Sequence, residues 1–246
     1  MKKYIVKTPF LPAVRQACLL MSLTAFSSSA ILADAEDDPV LSMVLIDEFE
    51  LQGGEDANPV AFNGQGWVGK DLQKFWYKAE GEFVDGGFED AELQALYSRA
   101  VAPYWDLQVG LRRDFRPSPS KNWAVIGFQG LAPYFFEIDT ALFVSDNGDT
   151  ALRIEAEYEL LFTQKLILTP DVEANFYGQS DAELGIGSGL SDLEAGLRLR
   201  YEIRREFAPY VGVSWSQQFG KTADYTRAAG EDPSELQWVM GIRAWF

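Results

Sequence analysis

The segment Thr150–Phe162, TALRIEAEYELLF, narrows the choice of fold more than any other feature of the chain. Successive side chains of a strand point to opposite faces. Leu152, Ile154, Ala156, Tyr158 and Leu160 then share one face, while Arg153, Glu155, Glu157 and Glu159 share the other. A helix would mix the two sets around its circumference. The period of two therefore argues for a strand, although Ala, Leu and Glu favour helices by propensity. One such strand with a wet outer face also fits a soluble sandwich. The decision rests on how often the pattern returns.

It returns along the whole chain. KFWYKAEGEF sets Phe75, Tyr77, Ala79 and Phe83 against Lys74, Trp76, Lys78, Glu80 and Glu82. WDLQVGLRRDF sets Trp105, Leu107, Val109 and Leu111 against Asp106, Gln108, Arg112 and Asp114. FFEIDTALFV, LILTPDVEANFYG and SDLEAGLRLRYEI behave in the same way. The last stretch, QWVMGIRAWF, keeps Trp238, Met240, Ile242 and Ala244 in phase up to a terminal aromatic, Phe246. The pattern predicts roughly twelve strands, each near the length that crosses a bilayer when tilted. Their predicted spans are 43–52, 58–69, 73–84, 89–101, 104–115, 122–131, 133–145, 149–162, 165–177, 190–203, 207–219 and 235–246. KDLQ, AP, a second AP, TQK and REFAP make tight turns. GGEDANP, VDGG, RPSPSK, DNGD, GQSDAELGIGSG and KTADYTRAAGEDPSE make longer polar loops that alternate with them.

Many long strands, charge along one whole face and turns of unequal length at the two ends describe an all-β fold. The expected architecture is an antiparallel transmembrane β-barrel of about twelve strands, oily outside and charged within. Closure leaves no strand edge unpaired in lipid. Trp67, Tyr77, Tyr104, Trp105, Tyr134, Tyr158, Tyr201, Tyr210 and Trp215 are expected to supply interfacial aromatic girdles, with some of them facing the lumen. Inside, Lys78, Arg112, Arg153, Arg198 and Arg200 are expected to pair with acids on neighbouring strands.

The N-terminal stretch sets the address. Lys2, Lys3, Lys7 and Arg15 precede an apolar run from Ala17 to Phe26, then small residues and Ala33-Asp34-Ala35. That order reads as a cleavable signal peptide over residues 1–35. A short periplasmic segment, 36–42, and a barrel over 43–246 follow. The apolar run is shorter than the ~20 residues of a spanning helix. Residues 1–35 hold four basic residues against one acid, so their removal moves the net charge from −16 to −19. It also removes Cys18, the only cysteine.

Composition closes off several functions. An acidic chain repels nucleic acid. Without histidine, neither a Ser-His-Asp arrangement nor a histidine base can be built, so no enzyme is expected. Metal chemistry is left to carboxylates. Glu155, Glu157, Glu173 and Glu194 are the candidate metal ligands, expected to meet in the lumen from adjacent strands; along one strand, carboxylates two residues apart stand ~6.6–7 Å from each other, too far to chelate alone.

The stretches EDAELQALYSRAVAPYWDLQVGLRRDFRPSPSKNWAVIGFQGLAPYFFEIDTALFVS, TALRIEAEYELLFTQKLILTPDVEANFYG, GIGSGLSDLEAGLRLRYEIRREFAPYVGV and WVMGIRAWF carry a resemblance. From about Asp47 to Phe246 the chain resembles the bacterial copper resistance protein B family. The resemblance implies a Gram-negative outer-membrane protein of copper homeostasis that binds copper or controls its passage. Its implied partners are outer-membrane lipid, copper ions and periplasmic copper-resistance proteins, with copper as the implied cofactor. Many family members carry a Met- and His-rich segment before the barrel, and soft ligands of that kind suit Cu(I). This chain has only EDDPVLSMVLI there, with Met43 alone. A general small channel or structural barrel is the alternative reading.

Overall fold

A computed structural model describes residues 38–53, 58–84 and 86–246. The expected signal peptide at 1–35 lies outside them. Thirteen strands follow in chain order: β1 (Leu41–Gly53), β2 (Val60–Lys70), β3 (Gln73–Val84), β4 (Gly87–Ala102), β5 (Trp105–Arg116), β6 (Lys121–Ala132), β7 (Phe136–Ser145), β8 (Thr150–Glu157), β9 (Leu160–Leu161), β10 (Leu166–Tyr177), β11 (Gly189–Tyr201), β12 (Phe207–Gln218) and β13 (Ser234–Trp245). Chain neighbours pair antiparallel, except that β8 and β9 both pair with β10 and not with each other, and β13 pairs back onto β1, from Leu45↔Trp245 to Gly53↔Trp238. The sheet is thus closed. β8 and β9 are two pieces of one wall strand, which makes a barrel of twelve.

The interruption corrects the continuous strand expected over 149–162. Pro170 of β10 lies opposite Tyr158. It accepts the Tyr158 N–H at 3.0 Å but has no N–H to return. The ladder lapses at Tyr158–Glu159 and resumes at Leu160↔Leu168. A second correction concerns the loop 219–233, which holds a helix, α1 (Gly220–Ala229). Gly230 ends it in the left-handed region at φ 92°, where its N–H reaches Arg227 O. A third concerns VDGG: only residues 85 and 86 separate β3 from β4.

The alternation read from the sequence decides the two faces. Leu93, Val109, Leu111, Ile126, Phe128, Leu142, Val211, Trp238 and Met240 stand exposed on the outside. Tyr104, Tyr134, Phe135 and Phe246 crown the tight-turn end. Lipid can cover such a band, whereas water would not. Leu111 is 67% exposed near the middle of β5. Leu111→Arg is expected to destabilise the barrel by about 2–4 kcal/mol, the usual effect of a lipid-facing arginine near the bilayer midplane. Reversible urea unfolding in phospholipid vesicles would measure it.

The packed core lies inside the barrel and on one side of it. Trp67, Trp76, Leu96, Gly110, Val125, Phe143 and Ala151 follow one another in direct register from β2 to β8. Trp123 joins them edge-on to Phe143, with ring centroids 6.4 Å apart. Trp67 thus belongs to this core, and Tyr210 also turns inward, to Glu50. Neither serves a girdle. Tyr77, Tyr201 and Trp215 are exposed on the outside as expected.

Candidate functional site: an acid-lined lumen

Charged side chains occupy what the apolar row leaves free, in two clusters. The first centres on Arg153 of β8. Its guanidinium lies 3.1 Å from both Glu80 (β3) and Glu92 (β4) and 3.5 Å from Glu173 (β10). Glu92 also holds Arg112 at 2.7 Å, and Arg112 lies 2.7 Å from Asp114. Asp114 accepts the Trp123 indole N–H at 2.7 Å, and the Arg112 guanidinium stacks 4.7 Å from the Phe143 ring centre. Each of these charges therefore keeps a partner away from bulk water. Lys78 of β3 reaches Asp139 of β7.

The second cluster centres on Arg198 of β11, which pairs with Glu50 at 3.2 Å, Glu48 at 2.9 Å and Asp171 at 2.8 Å. Tyr210 donates to Glu50 at 2.9 Å. Nearer the tight turns, Arg243 holds Asp47 at 2.6 Å and Glu159 at 3.3 Å, and Glu159 also takes Arg200. Glu159 lies at the break in the wall and contacts both arginines.

The expected neighbour-strand ladder is therefore only part of the arrangement. Arg112–Glu92 and Arg243–Asp47 follow it, but Arg153–Glu80 and Lys78–Asp139 cross the lumen between strands that never pair. Long side chains on inward faces reach one another over a narrow lumen, and sequence spacing does not record that width.

Of the four candidate ligands, Glu155, Glu173 and Glu194 lie directly opposite one another on β8, β10 and β11, with Asp139 of β7 opposite Glu155. Four successive strands thus present a row of carboxylates. Glu157 falls in the next row, between Glu137 and Asp171. Asp139 and Glu137 are the members that sequence reasoning missed, although both lie on the charged face of FFEIDTALFV. The two rows are under-neutralised. Glu155 has only Arg153 at 3.9 Å, Glu194 takes a hydroxyl from Ser214 at 2.7 Å, and Glu157 has no polar side-chain partner among the described residues.

The open space is a cavity of about 1040 Å³. Its lining runs from Leu184, Tyr225 and Glu231 at the long-loop end to Leu131, Glu137 and Glu157 near the tight turns. Acids outnumber bases more than twofold among the lining residues. α1 narrows the mouth, tied down by Thr222, which accepts the Gly187 N–H at 2.8 Å and shares a 2.8 Å hydrogen bond with Ser191.

The donor set suits hard or borderline cations. It contains no imidazole or thiolate, and the only described thioethers are Met43, opposite Trp67 in register, and the outward Met240. Oxygen donors favour hard cations and also accept Cu(II), but not Cu(I). Among the described residues, no three acids converge in metal-chelating geometry. The row offers a field of negative charge rather than a chelating cage.

Among solved structures, the NanC porin shares this architecture, with a TM-score of 0.56 at 12% identity over 83% of this chain and 99% of that one. A closed barrel, oily outside and charged inside, defines an outer-membrane β-barrel protein. The model of the family described as copper resistance protein B precursor (CopB) matches residues 40–246. The chain belongs to that family. Copper resistance protein B of Escherichia coli is 48% identical over 210 residues, covering 85% of this chain and 71% of that protein. The homolog from Pseudomonas syringae pv. tomato is 45% identical over the same coverage.

Proposed function

We propose that this outer-membrane protein serves copper resistance by controlling the passage of copper ions through its lumen, where carboxylates hold Cu(II) transiently. The observation that carries the reading is the row Asp139–Glu155–Glu173–Glu194, set along a cavity that runs from the long loops to the tight turns. Walls of one sign raise the local concentration of the opposite ion. Carboxylates that do not chelate can hold an ion weakly enough to release it. Under this reading the tight-turn end faces the periplasm and its copper-resistance proteins, and residues 1–35 are the exported leader.

A strain lacking this protein is expected to lose copper tolerance, and the wild-type gene is expected to restore it. Unchanged growth on copper plates after deletion would remove the reading. The absence of histidine favours a second one, a general small cation channel. Planar-bilayer currents that ignore added copper would select that alternative.

A further inference from the structure

We propose that Arg153 is a specificity-determining residue: a strut that divides the lumen and confines passage to a narrow path along the acid row. The inference rests on the passage reading above. β8 and β3 are five strands apart in a ring of twelve, nearly a full diameter. Arg153 closes that distance to Glu80 at 3.1 Å and reaches Glu92 at the same distance, while its Nε donates to Asn175 on its own side at 3.3 Å. Lys78–Asp139 makes a second strut from β3 to β7.

The side cut off by the two struts is partly filled. Leu96, Val125 and Phe143 occupy it in one register row, and Arg112 covers Phe143. Beyond the struts the open space meets β8, β10 and β11, where Glu155, Glu157 and Glu194 lie, while Arg112, Asp114 and Trp123 border it from β5 and β6. Arg153 therefore does two things at once. It neutralises Glu80 and Glu92, and it holds the cross-section small. Pore diameter and the charge of the lining groups together set what a channel passes. The expected cargo is a small inorganic cation.

Two variants separate the strut from its charge. Arg153→Gln removes the arm and leaves Glu92 paired with Arg112 and Gln94, so the barrel keeps most of the cluster. Glu80→Gln with Glu92→Gln releases the arm from its far end and removes two acids instead. In planar bilayers both are expected to raise single-channel conductance by about twofold or more and to admit a bulky cation such as tetraethylammonium. Cation-over-anion selectivity is expected to rise in the first variant and fall in the second. Heat-modifiable gel mobility confirms that each barrel is folded.

Unchanged conductance and size cut-off in both folded variants would overturn the inference while leaving passage through the wild type intact. A silent wild type beside a conducting Arg153→Gln would support the strut and overturn open passage as the resting behaviour. Silence in all three barrels would overturn both ideas.

Discussion

Arg198→Ala is expected to cost about 3–5 kcal/mol of barrel stability, because it strands a buried charge. Glu50 is 1% exposed, and its carboxylate takes two contacts of 3.2 Å from Arg198 and one of 2.9 Å from Tyr210. The arm reaches β1 over two intervening strands. Gly212 lies opposite Arg198, and Gly241 lies between Tyr210 and Glu50. A Cβ on Gly241 would come within 2.7 Å of Tyr210 and the Glu50 side chain, and one on Gly212 within 3.1 Å of Arg198. These two glycines clear the way for the arm. Replacing Glu50 as well, Arg198→Met with Glu50→Leu, is expected to recover only part of the loss: exchanging a buried pair for apolar groups is often near neutral, but Glu48 and Asp171 still lose their cation. Urea unfolding in vesicles reads both. A single-variant loss under about 1 kcal/mol, the size of an exposed pair, would show the cluster to be solvated.

Converting Glu155, Glu173 and Glu194 together to Gln is expected to act in two directions. Like charges directly opposite each other on paired strands repel, at roughly 0.2–1 kcal/mol per contact. Glu155↔Glu173 and Glu173↔Glu194 are two such contacts, so the apo variant is expected to resist urea better than the wild type. The wild type in turn is expected to gain stability from added Cu(II), about 2.7 kcal/mol at a hundredfold excess over the dissociation constant. Mg(II) is expected to give less, because nitrogen and oxygen donors rank Cu(II) highest among the first-row divalent ions and bind it more tightly than Mg(II). The variant is expected to lose this copper response. A variant stabilised by copper as much as the wild type would move the ion's site off the row. Calorimetric titration of the detergent-solubilised barrel gives the same comparison without unfolding.

Most of the barrel was legible because a strand reports its two faces locally. The inward and outward sets read from residues 74–83, 105–114 and 193–201 stand on those faces in the structure, and the predicted strand ends fall within a few residues of the observed ones. The polar residues and the Gly-Glu-Asp-Pro ending of 219–233 point to a loop. Those polar residues mask a helical run from Lys221 to Ala229, whose one local sign is Gly230 in the C-terminal cap position. The gap at Tyr158 was also foreseeable in principle, because Pro170 can only accept a bond from the neighbouring strand.

From its sequence the chain is an all-β barrel with an apolar and a charged face on most strands, and charge without imidazole or thiolate lines the interior. Those properties follow from the period of two and from composition, both of which are local. Closure of the barrel is what carries Arg153 across to Glu80 and Arg198 to Glu50, and what sets Asp139 and Glu137 in the acid rows. Strand register and barrel width set those distances, and both arise from how twelve strands close on one another.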